Sequence, residues 1–487
     1  MRLKILAAAA AAVLLAAGCG SSDDDTPSAT PKNVIFFLGD GYGIVPMTAA
    51  RIYAAGEDGE LTMDTFPETA FVKTYSLDAQ VTDSAPSMAA YMTGVKTRNE
   101  VLSMNGDTLA VAPGRDATTG VGNAVNNCPT TGNGAASTTL LELAIAAGRA
   151  TGVVSTARLT HATPGATYAH VCHRNAEYEI ARQAVPGGAG FNAALGAGVD
   201  VLMGGISQYW RPYSATTNPA GRPDGRDLVA EFHAKGYTFV SDLATFNAAP
   251  TAAGTKLIGL YDFAKAEGHM SYELDRDPAK EPSLAEMTTK SIDILAKRDK
   301  GYFLMIEGGR IDHALHSTNA ARALADAKAF DDAIKAAIAK VKLTDPDMKN
   351  TLIVVTADHD HTMVMNGYAA ITGKTTATNP GILGLLRDYA APSVPALDAD
   401  GKPFTTLAFG NGENRPAGSR SLMTALTDAV VGDKNYHQEA AIQMGLGGET
   451  HGGADVFLAA MGLGADTFHG MLDNTDVFKL VRTAAGL

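Results

Sequence analysis

Asn33-Val-Ile-Phe-Phe-Leu-Gly-Asp-Gly41 is a solid apolar run that stops at a Gly-Asp-Gly turn. A strand with one wet face alternates polar and apolar residues. A run without alternation belongs to a strand covered on both sides, as in a parallel sheet sandwiched by helices. Similar runs follow at Thr151–Ala157, Asp200–Gly205, Lys256–Tyr261, Tyr302–Gly308, Thr351–Ala357, Thr406–Gly410 and Asp455–Met461. Helical spacing lies between several of them, at Thr138–Ala147, Leu284–Lys297 and Asn319–Lys340. The alternation predicts an α/β fold, doubly wound, with a mostly parallel central sheet and helices on both faces. Asn105–Gly134, rich in Gly, Thr and Asn, and Met365–Pro403, with scattered Gly and Pro, read as loop insertions into that sheet. With 487 residues, 46% of them hydrophobic, the chain has the material for one large core. We expect a single decorated catalytic domain over residues 33–487.

The N-terminus carries a separate signal. Met1-Arg-Leu-Lys is basic, and Ile5–Ala17 is apolar but shorter than the roughly 20 helical residues that span a bilayer. The stretch ends in Ala16-Ala17-Gly18-Cys19, which resembles a bacterial lipoprotein signal. That likeness implies cleavage after residue 18, lipidation of Cys19, and an exported protein held at the periplasmic face or outer envelope. An ordinary signal peptide with an incidental cysteine is the alternative. Residues 19–32 are polar and proline-bearing, as a flexible tether should be.

Charge and cysteines narrow the classes further. A net charge of −13, with no run of Lys or Arg, repels nucleic-acid phosphates. Beyond Cys19 only Cys128 and Cys172 remain, which an oxidising compartment allows to pair. Their spacing does not resemble a cysteine-rich zinc site.

The residues suited to chemistry gather where the strands end, which is where open α/β sheets collect ligands. Asp40 closes the first strand, Glu307 closes YFLMIEG, and Asp358-His359 close TLIVVTA. Any one of them alone reads equally as a capping or loop residue. Asp312 and His316 stand four apart, so a helical turn presents both from one face, either as a mixed O/N metal pincer or as a surface ion pair. His451 sits on the glycine-rich turn Glu449-Thr-His-Gly-Gly453. Ser84, in Val81-Thr-Asp-Ser-Ala-Pro-Ser87, falls near a helix start, where free N–H groups favour an anion. An N-cap role for Asp83 or Ser84 fits the same pattern. The segment is not a Gly-x-Ser-x-Gly elbow, so a serine there needs an activator other than a triad histidine, and a metal ion can serve.

Taken together, NVIFFLGDG, VTDSAPSMAAYMTGVKT, HATPGATYAH, EGGRIDHALH, TADHDH and ETHGG resemble the alkaline phosphatases, in order and over nearly the whole chain after residue 32. The resemblance implies a phosphomonoesterase with two zinc ions and one magnesium ion. Asp312, His316 and His451 then match the ligands of one zinc. Asp40, Asp358 and His359 match those of the other. Asp40, Thr163 and Glu307 match the magnesium ligands, Ser84 the phosphorylated nucleophile, and Arg174 the arginine that grips phosphate. Because Thr163 precedes Pro164, a β-type backbone is expected there. His161 and His313 stand where some bacterial members carry Asp and Lys, and others carry His, which bears on the third metal site. His361, two after His359, is placed to hold a ligand through a hydrogen bond or to face solvent as a loop residue. The likeness also implies a homodimer, with Met365–Pro403 where some relatives build a subunit contact. A phosphodiesterase or sulfatase on the same scaffold is the enzymatic alternative, although Ser84-Ala-Pro-Ser-Met lacks the arginine a sulfatase would show. A lipoprotein that captures metal or phosphate without turnover is the non-enzymatic one.

Overall fold

The computed structural model describes residues 33–487. The expected signal at 1–18, the lipidation site Cys19 and the tether at 19–32 lie outside them. The strands are β1 (Asn33–Gly39), β2 (Glu68–Lys73), β3 (Ala150–Arg158), β4 (Val201–Gly205), β5 (Thr238–Val240), β6 (Leu257–Tyr261), β7 (Tyr302–Gly308), β8 (Thr351–Ala357), β9 (Asp360–His361), β10 (Met363–Met365), β11 (Leu407–Gly412), β12 (Ala440–Gln443), β13 (His451–Gly452), β14 (Val456–Gly462) and β15 (Gly470–Asp473). Ten of them form one sheet, in the order β15-β2-β14-β8-β1-β7-β3-β4-β6-β5. Within it only β14 runs against its neighbours, so the expected mostly parallel α/β sheet is present.

Burial explains which strands the apolar runs reveal. Every residue of β7 and β8 is buried, as is β1 after Asn33, and these three form the middle of the sheet. The strands without such runs are short or polar and lie toward the edges. β5 is Thr-Phe-Val, β15 is Gly-Met-Leu-Asp, and β2 alternates exposed and buried residues. One expectation needs correcting. Thr406–Gly410 is not part of the central sheet: β11 belongs to a three-stranded sheet, antiparallel to β10 and parallel to β12. Its residues are buried and half-buried by turns, so its apolar character answers to a one-sided packing site.

The expected helices appear as Leu140–Ala146, Leu284–Leu295 and Ala320–Lys342. Thr139 and Ser283 each cap a helix through a reciprocal bond with a glutamate three residues on. The insertion at 105–134 holds no helix or named strand, only isolated pairings such as Gly114 with Val125. No described helix is long and apolar enough to cross a membrane.

Candidate active site and metal centre

Parallel register brings the predicted carboxylates to one edge. Leu38 pairs with Glu307, Gly39 pairs with Gly308 and Ala357, and Ser155 pairs with Glu307. Asp40 and Asp358 therefore emerge side by side, with Glu307 two residues back along the neighbouring strand, all three fully buried. Gly41 makes the turn after β1 with φ +65°, and its N–H donates to Asp358 Oδ1 at 3.0 Å. A Cβ at this position would lie 2.4 Å from His361 Nε2, so the glycine is required by space as well as by conformation.

The site residues fall into three groups. In the first, His316 Nε2 lies 3.2 Å from Asp312 Oδ1 and 3.2 Å from His451 Nε2. Asp312 and His316 share the helix Arg310–His316, and β13 brings His451 across by pairing with β9. In the second, His359 Nε2 lies 3.3 Å from Asp40 Oδ1 and 3.4 Å from Asp358 Oδ2. In the third, Asp40, His161 and Glu307 have ligand atoms within 4.8 Å of one another.

Hydrogen bonds aim the imidazoles. Nδ1 of His316 bonds the Glu449 carbonyl at 2.5 Å, that of His451 bonds the Thr82 carbonyl at 2.8 Å, and that of His359 bonds the Asp360 carbonyl at 3.3 Å. A carbonyl only accepts, so each Nδ1 carries a proton and each Nε2 faces the centre, the orientation common to histidine metal ligands. His361 differs. Its Nε2 meets Asp312 Oδ1 at 2.8 Å and its Nδ1 meets Glu449 Oε2 at 2.6 Å, so both nitrogens are spent on carboxylates. Although burial opposes it, Glu449 and Asp312 hold His361 well above the ordinary histidine range.

The remaining electrostatics are unbalanced. Burial, with carboxylate neighbours adding to it, pushes Asp40 and Asp358 each up to about 7 and Glu307 well above its usual range. Asp40 Oδ2, Thr163 Oγ1, Glu307 Oε1 and Asp358 Oδ2 are buried without a hydrogen-bond partner. Unpaired buried oxygens of this kind suit a cation. The residues present therefore fit metal ions held by nitrogen and oxygen together.

Ser84 opens the buried helix Ser84–Thr93, and Asp83 is its N-cap, accepting from Ala85 N at 2.7 Å. Ser84 Oγ lies 3.2 Å from His359 Nε2 and 3.4 Å from Asp40 Oδ1. Asp83 also accepts from Arg174 Nη1 at 3.1 Å, while Arg174 Nη2 donates to His161 Nε2 at 2.9 Å. A guanidinium only donates, so His161 is neutral with its proton on Nδ1. Burial, with Arg174 and Arg158 nearby, drives His161 well below the usual histidine range.

Thr163 departs from its expected backbone. It lies in the helix Ala162–Tyr168, where Pro164 is still in the first turn and its missing N–H costs nothing. His313 packs on His269, with ring centroids 3.8 Å apart, and Arg310 Nη1 reaches its Nδ1 at 3.3 Å. Burial and Arg310 hold His313 well below its usual range. Cys128 and Cys172 form a disulfide, with Cα atoms 5.6 Å apart. Sequence reasoning missed Glu449, His269, the contact of the cap residue Asp83 with Arg174, and Ser155, whose hydroxyl donates to Glu307 Oε2. Glu449 and Asp83 lie within motifs already singled out. The contacts of His269 and Ser155 arise only in three dimensions.

An α/β sheet whose strand ends present three sets of potential metal ligands around a serine in the first position of a helix defines a class of hydrolase scaffold. The alkaline phosphatase family model matches residues 31–487. The chain is 37% identical to the tissue-nonspecific isozyme of alkaline phosphatase from Gallus gallus, over 90% of this chain and 82% of that one. It is 35% identical to the tissue-nonspecific isozyme from Homo sapiens, over 93% and 83%. Among solved structures, alkaline phosphatase from Thermus thermophilus aligns with a TM-score of 0.64 at 27% identity, covering 98% of this chain and 96% of that one. Alkaline phosphatase from the Antarctic bacterium TAB5 shares the fold, with a TM-score of 0.61 at 23% identity over 94% and 99%. The chain belongs to the alkaline phosphatase family, a metal-dependent family of phosphate-monoester hydrolases.

The raised carboxylates give a test in metal-free protein. The folded value of Asp40, about 7, lies above its ordinary 3.8. Its contribution to stability is then fully present below about pH 4 and lost as pH rises toward about 7. With chelator present, Asp40→Asn should unfold at a higher temperature than wild type near pH 8, the advantage vanishing near pH 4. A difference that does not change with pH would show that Asp40 ionises without strain.

Proposed function

We propose that this protein is an exported alkaline phosphatase that transfers the phosphoryl group of a monoester to Ser84 and then to water. The observation that carries this reading is the Ser84 hydroxyl, 3.2 Å from His359 Nε2 and 3.4 Å from Asp40 Oδ1. Asp312, His316 and His451 would hold one zinc, and Asp40, Asp358 and His359 the other. Asp40, Thr163 and Glu307 would hold magnesium, a preference supported by three unpartnered oxygens. Such ions supply Lewis acidity, lowering the pKa of hydroxyl groups beside them and neutralising charge on oxygen.

The chain's own groups account for the rest. Arg174 offers a planar pair of N–H donors to two phosphate oxygens. Ser84 Oγ bonds to phosphorus as the bond to the ester oxygen breaks, its proton passing to solvent or to the departing alcohol. Water then attacks phosphorus, restoring the serine hydroxyl and releasing phosphate. The N-terminus of the helix Ser84–Thr93 favours the anion throughout. A clamp plus a three-oxygen cation site suits a dianionic monoester better than a diester or sulfate.

Export with lipid attachment at Cys19 is part of the same reading, resting on the N-terminal sequence and on the compartment that a disulfide requires. A homodimer is also proposed. Tyr368, Ile371 and Tyr389 in the insertion are 79%, 83% and 71% exposed, apolar side chains of the kind a second subunit covers.

Three outcomes follow. Ser84→Ala should retain metal while losing most turnover, with residual hydrolysis from the remaining groups. Wild-type rates, and no phosphoserine trapped on acid quenching, would discard Ser84. Arg174→Ala should weaken monoester and inorganic phosphate together, by about 1.5–3 kcal/mol for a charge-assisted contact. Inhibition by phosphate that stays unchanged would move the clamp elsewhere. Finally, His161 places a neutral imidazole where a carboxylate would bring the oxygen and negative charge that magnesium prefers. His161→Asp should lower the Mg²⁺ concentration for half-maximal reactivation of zinc-loaded protein, and an equal midpoint in both forms would place His161 outside that site.

A further inference from the structure

We propose that the Cys128–Cys172 disulfide positions Arg174 for phosphate, an inference that rests on reading Arg174 as the phosphate clamp. Arg174 stands two residues after Cys172, in a stretch from residue 169 to 176 that contains no helix or named strand. Regular structure therefore does not fix its backbone. One side of the stretch is tied to residues 100–102. Leu102 and Val171 exchange backbone bonds of 3.0 and 3.2 Å, and Arg174 N donates to the Glu100 carbonyl at 2.7 Å. On Cys172 itself the tie is Cys128, through the covalent bond and through Cys172 N donating to Cys128 Sγ at 3.0 Å.

Cys128 belongs to the irregular insertion at 105–134, which is braced by bonds among its own residues and across its base. Asn133 holds Leu109 through bonds of 2.9 and 3.0 Å, and Asn105 N donates to the Ala135 carbonyl at 2.8 Å. The insertion is thus a braced wall, and the disulfide fastens the arginine-bearing segment to it. At the other end, the guanidinium is held only by side chains, Asp83 and His161. Both contacts use N–H groups that phosphate would compete for, so the backbone anchor must keep the guanidinium in place when they loosen. Cys172 is 1% exposed, and its loss would be felt directly by the segment packed around it.

The test uses metal-loaded enzyme carrying Cys128→Ala with Cys172→Val, which preserves apolar volume, and separately Cys128→Ser, which leaves the buried Cys172 in place. KM for p-nitrophenyl phosphate and the inhibition constant of inorganic phosphate should rise together by about threefold to tenfold, with kcat within about twofold. In an Arg174→Ala background, removing the crosslink should leave both constants unchanged, because the two changes act through one group. A lower melting temperature with both constants unaltered, in either variant, would make the disulfide purely structural and overturn the proposal. An effect of equal size with and without Arg174 would also overturn it. If Arg174→Ala alone leaves phosphate inhibition untouched, the clamp reading is what fails, and the positioning role falls with it.

Discussion

Asp40, Glu307, Asp312 and Asp358 are packed at one sheet edge with almost no exposure to water, and that concentration of negative charge governs the rest of the site. Burying a carboxylate is costly unless it is paired, and several together repel one another. Asp312 escapes because, although burial pushes it up, His316 and His361 hold it well below the usual carboxylate range. Asp40 and Asp358 share the single buried His359, and Glu307 has only the Ser155 hydroxyl, so burial and mutual repulsion push all three upward. The protein thus keeps carboxylates where only cations make them comfortable. The energy of folding the rest of the sheet holds them there.

The middle of the fold is legible in the sequence because double-sided burial leaves an unmistakable mark. β1, β7 and β8 read directly, and each delivers a carboxylate at its end. Edge strands such as β5 and β15 do not, since a three- or four-residue strand on a rim needs no apolar run. The helix through Thr163 was hidden by Pro164, whose usual meaning reverses in a first helical turn.

Residues that touch across long chain separations are the harder part of the site to read. Glu449 reaches His361 and Thr362 across nearly ninety positions, with bonds of 2.6 and 2.7 Å. Nothing in local spacing requires a glutamate to lie there. Its place two residues before His451 becomes meaningful only when β13 pairs with β9. That pairing sets Glu449 behind His361 and His451 beside His316 in one step. The unassigned neighbour of a recognised histidine is therefore where supporting residues hide, because one short strand and the turn leading into it carry both.

Arg174 shows why the choice of imidazole at position 161 matters beyond metal preference. A carboxylate there would form a second ion pair with the guanidinium, already paired with Asp83 at 3.1 Å. Phosphate would then have to displace two charged partners to gain the same donors. Neutral His161 accepts one hydrogen bond and offers no net charge, so the competition is weaker. The surroundings enforce that neutrality: burial comes first, and Arg174, Arg158 and His313 add to it. In the proposed reading the imidazole gives up an oxygen ligand beside Asp40 and Glu307 and leaves an arginine held in place yet free to be taken by an anion.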